Sequence, residues 1–311
     1  MPSATITAAL LRLTSRDRRL VTTLAELRYL TAPQIRQACY PSLSIESASR
    51  RLTLLRRRRV IDCLGHRAFD DRRVFWGLGP VGRLAAGALA EDAAPRPAAV
   101  AVGALLMDHL IATNQVFCDL CAECRAGRLD RFWWLGSHHT HMDLGLARLV
   151  PDAAIVVPAP DGHPWMYCLE RDRGTTSPEF LADKCRRYRL MCQVARERAD
   201  DPLWEARADA WLVVACDDGR RAALAARAAA GAGIERAWCG LADECAASLA
   251  AAAGVASRAR GVARPDGPVA RTLPWPGGVA GAPCPVEDDV EPRASVTTVA
   301  PGRGGAREAS A

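Results

Sequence analysis

The chain contains almost no lysine. Of its 41 lysine and arginine residues, forty are arginines and one is a lysine, Lys184. The two residue types are not interchangeable where a compact cationic charge must sit among carboxylates. A 3.6-residue period from Ser177 to Arg196 places Lys184 in the middle of an apolar helix face. A cation there must extend to solvent or pair with anions, although an arginine-rich composition also leaves a few lysines at arbitrary positions.

Long apolar runs are also missing. No segment reaches the roughly twenty apolar residues that a membrane-spanning helix needs, and only a brief apolar stretch precedes Arg12. We therefore expect a soluble, cytoplasmic protein with no membrane partner. Twelve cysteines in such a protein favour reduced thiols over a disulfide framework. No Gly-rich phosphate loop precedes a Lys-Ser/Thr pair, so nucleotide hydrolysis has no support.

Charge is distributed unevenly along the chain. Residues 1–90 hold 16 arginines and 6 acidic residues, a balance of +10, whereas the whole chain has a net charge of +6. The remaining residues therefore sum to −4. A basic region of this kind is typical of a module that binds a polyanion.

The basic region has the pattern of three helices followed by two strands. Capping signals at Thr31 and Ser44 begin the second and third helices. Two apolar strands, 60–64 and 74–78, enclose a polar turn. We predict a winged helix-turn-helix over residues 12–90.

In a winged helix-turn-helix the third helix enters the major groove of DNA. Its periodicity turns Ala48, Leu52 and Leu55 towards the core and the polar residues outwards. The basic end of this helix is equally well explained as a solvated terminus favoured by the helix dipole. We expect the following residues of the helix and the wing to contact DNA: Ser47, Arg50, Thr53, Arg57, Arg67, Arg72 and Arg73.

The rest of the chain predicts a second domain and a tail. Residues 91–100 are rich in proline and alanine and are typical of a linker. Residues 101–254 follow the order helix, three strands, helix, strand, which is an α/β pattern, so the chain as a whole is α+β. Residues 255–311 are dominated by Pro, Gly, Ala and Arg, and we expect a disordered tail.

Acidic residues flank two predicted strands of the second domain. Asp152 begins one strand and Glu170 ends the next, so an antiparallel hairpin would place both carboxylates at one end of the sheet. Such carboxylates, with Asp172, are suitable ligands for Mg²⁺ or Mn²⁺. Lys184 would then hold the nucleophile or a phosphate oxygen. The alternative is a buried ion cluster that only fixes the helix on the sheet.

Several short motifs occur in an order and spacing that together are fairly specific. They are Arg16-Asp17-Arg18-Arg19-Leu20, Leu30-Thr31, Arg50-Arg51-Leu52, Leu78-Gly79-Pro80-x-Gly82, His109-x-x-x-x-Asn114, Pro151-Asp152, Leu169-Glu170-x-Asp172-Arg173-Gly174-Thr175 and Lys184-x-x-x-Tyr188. With these motifs, from about residue 12 to residue 215, the chain resembles the plasmid replication-relaxation family. The resemblance implies a winged-helix DNA-binding domain fused to a domain similar to PD-(D/E)xK (restriction-endonuclease-like) nucleases, in proteins of plasmids and other mobile elements.

The resemblance implies roles for individual residues. Asp152 and Glu170 match the acids of the nuclease motif, whereas Asp172 stands where that motif has lysine. Lys184 is then a migrated replacement for the lysine. The opposite interpretation is that Asp172 marks a nuclease fold that has lost cleavage and retains binding.

Three functions follow as expectations. The first is a protein that binds double-stranded plasmid DNA and controls replication, relaxation or transfer of the element; the sequence leaves a homodimeric state open. The second is a Mg²⁺-dependent DNA nuclease or nickase that uses Asp152, Glu170 and Lys184. The third is a winged-helix transcriptional regulator with an inactive nuclease-like domain.

A cysteine series and a histidine run suggest a zinc site only weakly. The cysteines fall inside an apparently continuous helix, whereas zinc cysteines usually lie on a tight turn, so we favour ordinary core residues. The histidines are expected in a loop after the Trp133-Trp134 strand. The two sets are Cys118, Cys121 and Cys124, and His138, His139 and His141.

The long helix that begins the second domain also carries His109 and Asn114. Buried polar side chains of this kind usually satisfy backbone groups. We favour such polar contacts over a direct role in an active site.

Overall fold

The structure is a computed structural model that describes residues 12–65, 73–89, 103–145, 147–158, 164–198, 204, 207–259 and 282–283. In these residues the fold is mixed α/β, with eight helices and three sheets. Three predictions lie largely outside them: the DNA contacts of Arg67 and Arg72, the linker 91–100, and most of the tail 255–311. None of the helices in these residues contains an apolar segment long enough to cross a bilayer.

The first half of the described chain contains four helices and one small sheet. The elements are α1 (Ser15–Leu27), β1 (Leu30–Thr31), α2 (Ala32–Cys39), α3 (Ile45–Arg57), β2 (Ile61–Gly65), β3 (Val74–Leu78) and α4 (Pro80–Leu89). The strands are antiparallel, in the order β1-β3-β2. The predicted capping box at Thr31 and Gln34 is present, and the side chain of Ser44 accepts the Ser47 N–H as the cap of α3. Strand β1 and helix α4 were not among the predicted elements.

Helix α3 is held against α1 by a buried carboxylate. Ala48, Leu52 and Leu55 face the core as predicted. Arg51 donates from Nε to Asp17 Oδ1 over 2.8 Å, and Tyr40 donates its hydroxyl to the same oxygen over 3.0 Å. Burial by itself would raise the pKa of Asp17, but the hydrogen bond from Arg51 holds it below the usual value. Arg51 therefore positions α3 and does not belong to its outward face.

The turn between α3 and β2 packs closely on two glycines. A Cβ at Gly79 would lie 2.4 Å from the Arg59 carbonyl oxygen, and one at Gly82 would lie 2.0 Å from the Val60 carbonyl oxygen. Gly79 also donates its N–H to Val60 O. The backbone approach explains why Leu78-Gly79-Pro80-x-Gly82 needs glycine at both positions.

The second half is built on a six-stranded sheet. Its elements are α5 (Ala104–Arg125), β4 (Trp133–Gly136), β5 (Met142–Asp143), β6 (Arg148–Leu149), β7 (Ala153–Pro158), β8 (Pro164–Asp172), α6 (Pro178–Glu197), β9 (Trp211–Cys216), α7 (Gly219–Gly231), β10 (Ala237–Leu241), α8 (Ala242–Ala259) and β11 (Ala282–Pro283). The order is β10-β9-β8-β7-β4-β11, and β5 pairs separately with β6. Strands β8, β9 and β10 are parallel, whereas β11, β4, β7 and β8 pair antiparallel.

Three boundaries differ from the predictions. Strand β8 continues to Asp172, so Glu170 lies inside the strand and not at its end. Helix α8 continues to Ala259, beyond the predicted domain limit at 254. Residues Ala282 and Pro283, within the predicted tail, pair with β4. Strand β4 provides backbone hydrogen-bonding groups to this short segment. The composition of the segment alone does not predict this pairing.

Helices cover both faces of the large sheet. One face carries residues such as Leu169 and packs in a core that includes α5, α8 and the apolar residues of α1 and α2. The other face carries residues such as Cys168 and packs against α6 and α7. Alternation along β8 therefore turns Glu170 and Asp172 towards the α6 and α7 side.

The two halves are joined by hydrogen bonds between α5 and the first half. Asn114 donates from Nδ2 to the carbonyl oxygens of Leu27 (2.9 Å) and Tyr29 (2.8 Å). Gln34 on α2 donates to Ile111 O over 2.9 Å. These buried contacts, together with the shared core, connect the basic helices directly to the helix that lies beneath the large sheet.

Candidate functional site

Asp152 and Glu170 lie at the same end of the large sheet. Ala153 pairs with Leu169 in the antiparallel β7-β8 ladder, and Asp152 donates its N–H to Leu169 O over 3.0 Å. The predicted hairpin is therefore present. Asp152 Oδ2 accepts the Arg171 N–H over 2.8 Å, which fixes the carboxylate at the start of its strand.

Lys184 reaches Glu170 from α6. Its Nζ donates to Glu170 Oε2, and the two side chains form an ion pair that is nearly buried on the Glu170 side. Tyr188, one turn further along α6, donates its hydroxyl to Glu170 Oε1 over 2.5 Å. Residues four apart share a helix face, so the motif Lys184-x-x-x-Tyr188 places two donors on one carboxylate.

His109 contacts Asp152 from the opposite face of the sheet. Its Nε2 lies 3.0 Å from Asp152 Oδ2. The preference for a backbone contact is confirmed for Asn114, but His109 lies at the carboxylates. Sequence reasoning thus missed His109 and Tyr188 as members of this site. Both residues belong to motifs noted in the sequence. The contact between His109 on α5 and Asp152 before β7 could not be predicted, because the two residues are far apart in the chain.

The two carboxylates have opposite pKa shifts. Burial raises the pKa of Glu170 to about 8, and the negative charge of Asp152 adds to this. Burial would also raise the pKa of Asp152, but the hydrogen bond with His109 and the charge of Lys184 hold it below its usual value. Burial opposes the charge on Lys184, yet the charges of Glu170 and Asp152 raise its pKa. Unequal environments of this kind are common at catalytic acid pairs and also occur in structural ion clusters.

Asp172 forms its contacts with Arg221 and Gly174 and not with Lys184. Arg221 of α7 lies against Asp172 Oδ2, at 2.8 Å from Nε and 2.7 Å from the second terminal nitrogen, and the Gly174 N–H donates to Oδ1 over 2.9 Å. Both oxygens are therefore occupied by the protein. This pairing disfavours Asp172 as a third metal ligand, although it shares a strand face with Glu170.

The predicted DNA contacts on α3 lie on its outer face. Arg50, Thr53 and Arg57 are exposed, and Ser47 is half-buried on the flank. Arg50 donates to Ser47 Oγ over 3.2 Å, so its guanidinium is held along the helix. Arg73 of the predicted wing forms an ion pair with Asp108 of α5 at 2.8 Å.

The cysteine series is part of the core. Cys118, Cys121 and Cys124 are buried in α5, and burial raises the pKa of the Cys118 thiol well above its usual value. This agrees with the favoured interpretation of the series. His138 and His139 lie in the turn after β4, also as expected.

The family comparison covers most of the elements described above. A family model described as replication-relaxation matches residues 21–202, more than half of the 311 residues. Comparisons with curated proteins and with solved structures give no match. The matched region includes the outward face of α3 and the residues Asp152, Glu170 and Lys184. The chain belongs to the replication-relaxation family.

Proposed function

We propose that the chain binds double-stranded DNA through the outward face of α3 and acts in the control of replication or transfer of a plasmid or another mobile element. The observation that carries this proposal is the separation of α3 into two faces. Its apolar residues are buried, whereas Arg50, Thr53 and Arg57 are exposed in the region of the chain with a balance of +10. A helix presented in this way can enter the major groove.

The elements around α3 support a winged helix-turn-helix. Helices α1, α2 and α3 precede the antiparallel β2-β3 pair, which is the order of that motif. Helix α2 packs on α5 through Gln34, so the contact with the second half uses a helix other than α3. The outward side chains of α3 remain exposed in this arrangement.

Binding of the purified chain to a mixed-sequence duplex, followed by fluorescence anisotropy over a series of salt concentrations, tests the proposal. We expect log affinity to fall linearly with log salt. Arg50→Ala and Arg57→Ala should each weaken binding, and the slope should become shallower by about 1 for each phosphate that the variant no longer neutralises. Arg227→Ala, which removes an exposed arginine from α7, is the matched control. Salt-independent binding, or equal losses of affinity in all three variants, would contradict the proposal.

A second function, metal-dependent cleavage of DNA, is supported by the convergence of Asp152, Glu170 and Lys184. Asp152 and Glu170 offer the carboxylate oxygens that Mg²⁺ or Mn²⁺ prefers, and they would hold the ion. Such an ion lowers the pKa of a water molecule and stabilises charge on an attacked phosphodiester. Lys184 would leave Glu170 and hold a phosphate oxygen, while His109 keeps Asp152 oriented.

The pairing of Asp172 with Arg221 favours binding over cleavage. Asp172 stands where the nuclease motif has lysine, and its partner is an arginine of the protein. Incubation of supercoiled plasmid with Mg²⁺ or Mn²⁺ decides between the two functions. If the site cleaves DNA, Asp152→Asn should abolish nicking, whereas Asp143→Asn, at an exposed position, should still nick the plasmid. Equal activity in both variants and in the wild type would remove the nuclease function and leave DNA binding untouched.

A further inference from the structure

Glu26 is a buried carboxylate near the end of α1. It is 4% exposed, and its Oε1 accepts the Gly136 N–H of β4 over 2.5 Å. The contact joins residues 110 positions apart in the chain. A buried carboxylate is stable only when hydrogen bonds or positive charge compensate the loss of water.

Two histidines also lie beside this carboxylate. The Nε2 atoms of His138 and His139 lie 3.8 Å and 3.4 Å from Glu26 Oε2. The centroids of the two imidazole rings are 4.0 Å apart. Gly136 permits this arrangement, because a Cβ there would lie 3.0 Å from the His138 ring.

The buried nitrogen of His139 lacks a hydrogen bond. Within the described residues, His139 Nε2 has no hydrogen-bond partner, although it is shielded from solvent. Buried polar atoms without a partner are rare and are often explained by a bound ion or water.

The geometry points to a divalent transition-metal site formed by Glu26, His138 and His139. The three ligand atoms lie within 4.8 Å of one another. Tetrahedral zinc with bonds of about 2.0 to 2.1 Å places its ligand atoms about 3.3 Å apart, so the three atoms must move closer together to complete the site. Two imidazoles and one carboxylate suit zinc and its neighbours better than magnesium or calcium.

The site has an accessible side and a buried side. The side chain of His138 is 33% exposed, whereas that of Glu26 is 3% exposed. The metal therefore enters beside His138, and water takes the fourth position there. Since Glu26 belongs to α1 and both histidines follow β4, the metal fastens the first half of the fold to the large sheet. This site is separate from Asp152 and Glu170 and does not depend on the proposed function.

Calorimetric titration of the chelator-treated full chain with Zn²⁺ tests the site. We expect one equivalent to bind to the wild type and to His141→Ala, the matched control from the same loop. Binding should be weakened by about tenfold or more in His138→Ala and in Glu26→Gln. His138 is partly exposed, so its replacement is compatible with folding, and circular dichroism checks this. Failure of the folded wild type to bind, or equal affinity in His138→Ala, would overturn the inference.

Co²⁺ distinguishes the site from other candidates in the chain. A site of two histidines and one carboxylate gives d–d absorption bands without sulfur-to-cobalt charge transfer. A charge-transfer band would assign the metal to cysteines and contradict the inference. The Asp152→Asn variant should still bind one equivalent of metal. If this variant binds none, the metal lies at the carboxylates of the sheet. Zn²⁺ should also raise the melting temperature of the wild type but not that of His138→Ala.

Discussion

Lys184 forms an ion pair with Glu170 across the contact between α6 and the large sheet. The only lysine of the chain thus lies against a carboxylate that is also bonded by Tyr188. Asp152 lies directly before the neighbouring strand β7, and its charge acts on both members of the pair.

Removal of the lysine should destabilise the fold. In Lys184→Met, the buried carboxyl of Glu170 loses the Nζ donor and the positive charge beside it, and the cost is limited because a group with a pKa of about 8 already holds its proton for most of the time at neutral pH. We expect the free energy of unfolding at neutral pH to fall by about 1 to 3 kcal/mol. Urea denaturation of the double variant Lys184→Met/Glu170→Gln should show recovery of part of this loss. If the double variant loses the sum of the single effects, the two residues are not coupled.

The raised pKa of Glu170 predicts a specific pH dependence. Its pKa is about 8 in the folded chain against an ordinary value of 4.5, so the folded state binds the proton more tightly. This contribution to stability is fully present below pH 4.5 and is lost as the pH rises towards 8. The slope is at most about 1.4 kcal/mol per pH unit. Denaturation at about pH 5.5 and about pH 8 should show that the free energy of unfolding decreases less in Glu170→Gln than in the wild type. An equal decrease in both proteins would refute the raised pKa of Glu170.

Gly82 should not tolerate a side chain. A Cβ at this position would overlap the Val60 carbonyl oxygen, and the backbone on both sides must move. We expect Gly82→Ala to lower the free energy of unfolding by about 1 to 3 kcal/mol. Gly219→Ala is the control, because a Cβ at the start of α7 would meet no atom of the described residues within 4 Å apart from the adjoining backbone. A similar effect of both substitutions on the melting temperature would show that close packing is not the cause.

Asn114 should contribute to the junction of the two halves. Asn114→Ala removes the side-chain donor to the carbonyl oxygens of Leu27 and Tyr29. Leu27 O still accepts the Tyr29 N–H, so the loss falls mainly on Tyr29 O, at a cost of about 1 to 3 kcal/mol for a buried group. Amide hydrogen exchange should become faster at the end of α1 and in β1, while exchange in the large sheet stays slow. Thr53→Ala, which alters an exposed position of α3, should leave both measurements unchanged.

The local signals in the sequence predicted much of the fold. Thr31 and Ser44 act as caps where the pattern placed them, and Ala48, Leu52 and Leu55 face the core. The strands that carry Asp152 and Glu170 pair as expected. These features depend on residues that are close in sequence or on the period of a single element.

Long-range contacts account for what the sequence could not predict. His109 meets Asp152 because α5 crosses beneath the sheet, and Arg221 meets Asp172 because α7 packs on the neighbouring strands β9 and β10. Neither pairing leaves a pattern of spacing along the chain. Similarly, Glu26 meets His138 and His139 only when α1 packs against β4, so the spacing of residues along the chain does not connect this carboxylate with the histidines.

The hydrogen bonds of Asn114 and Gln34 tie α5, which also places His109 beside Asp152, to the end of α1, to Tyr29 and to α2. If α3 binds DNA as we propose, a duplex that also reached Asp152 and Glu170 would meet its two contacts at a spacing that these bonds help to maintain.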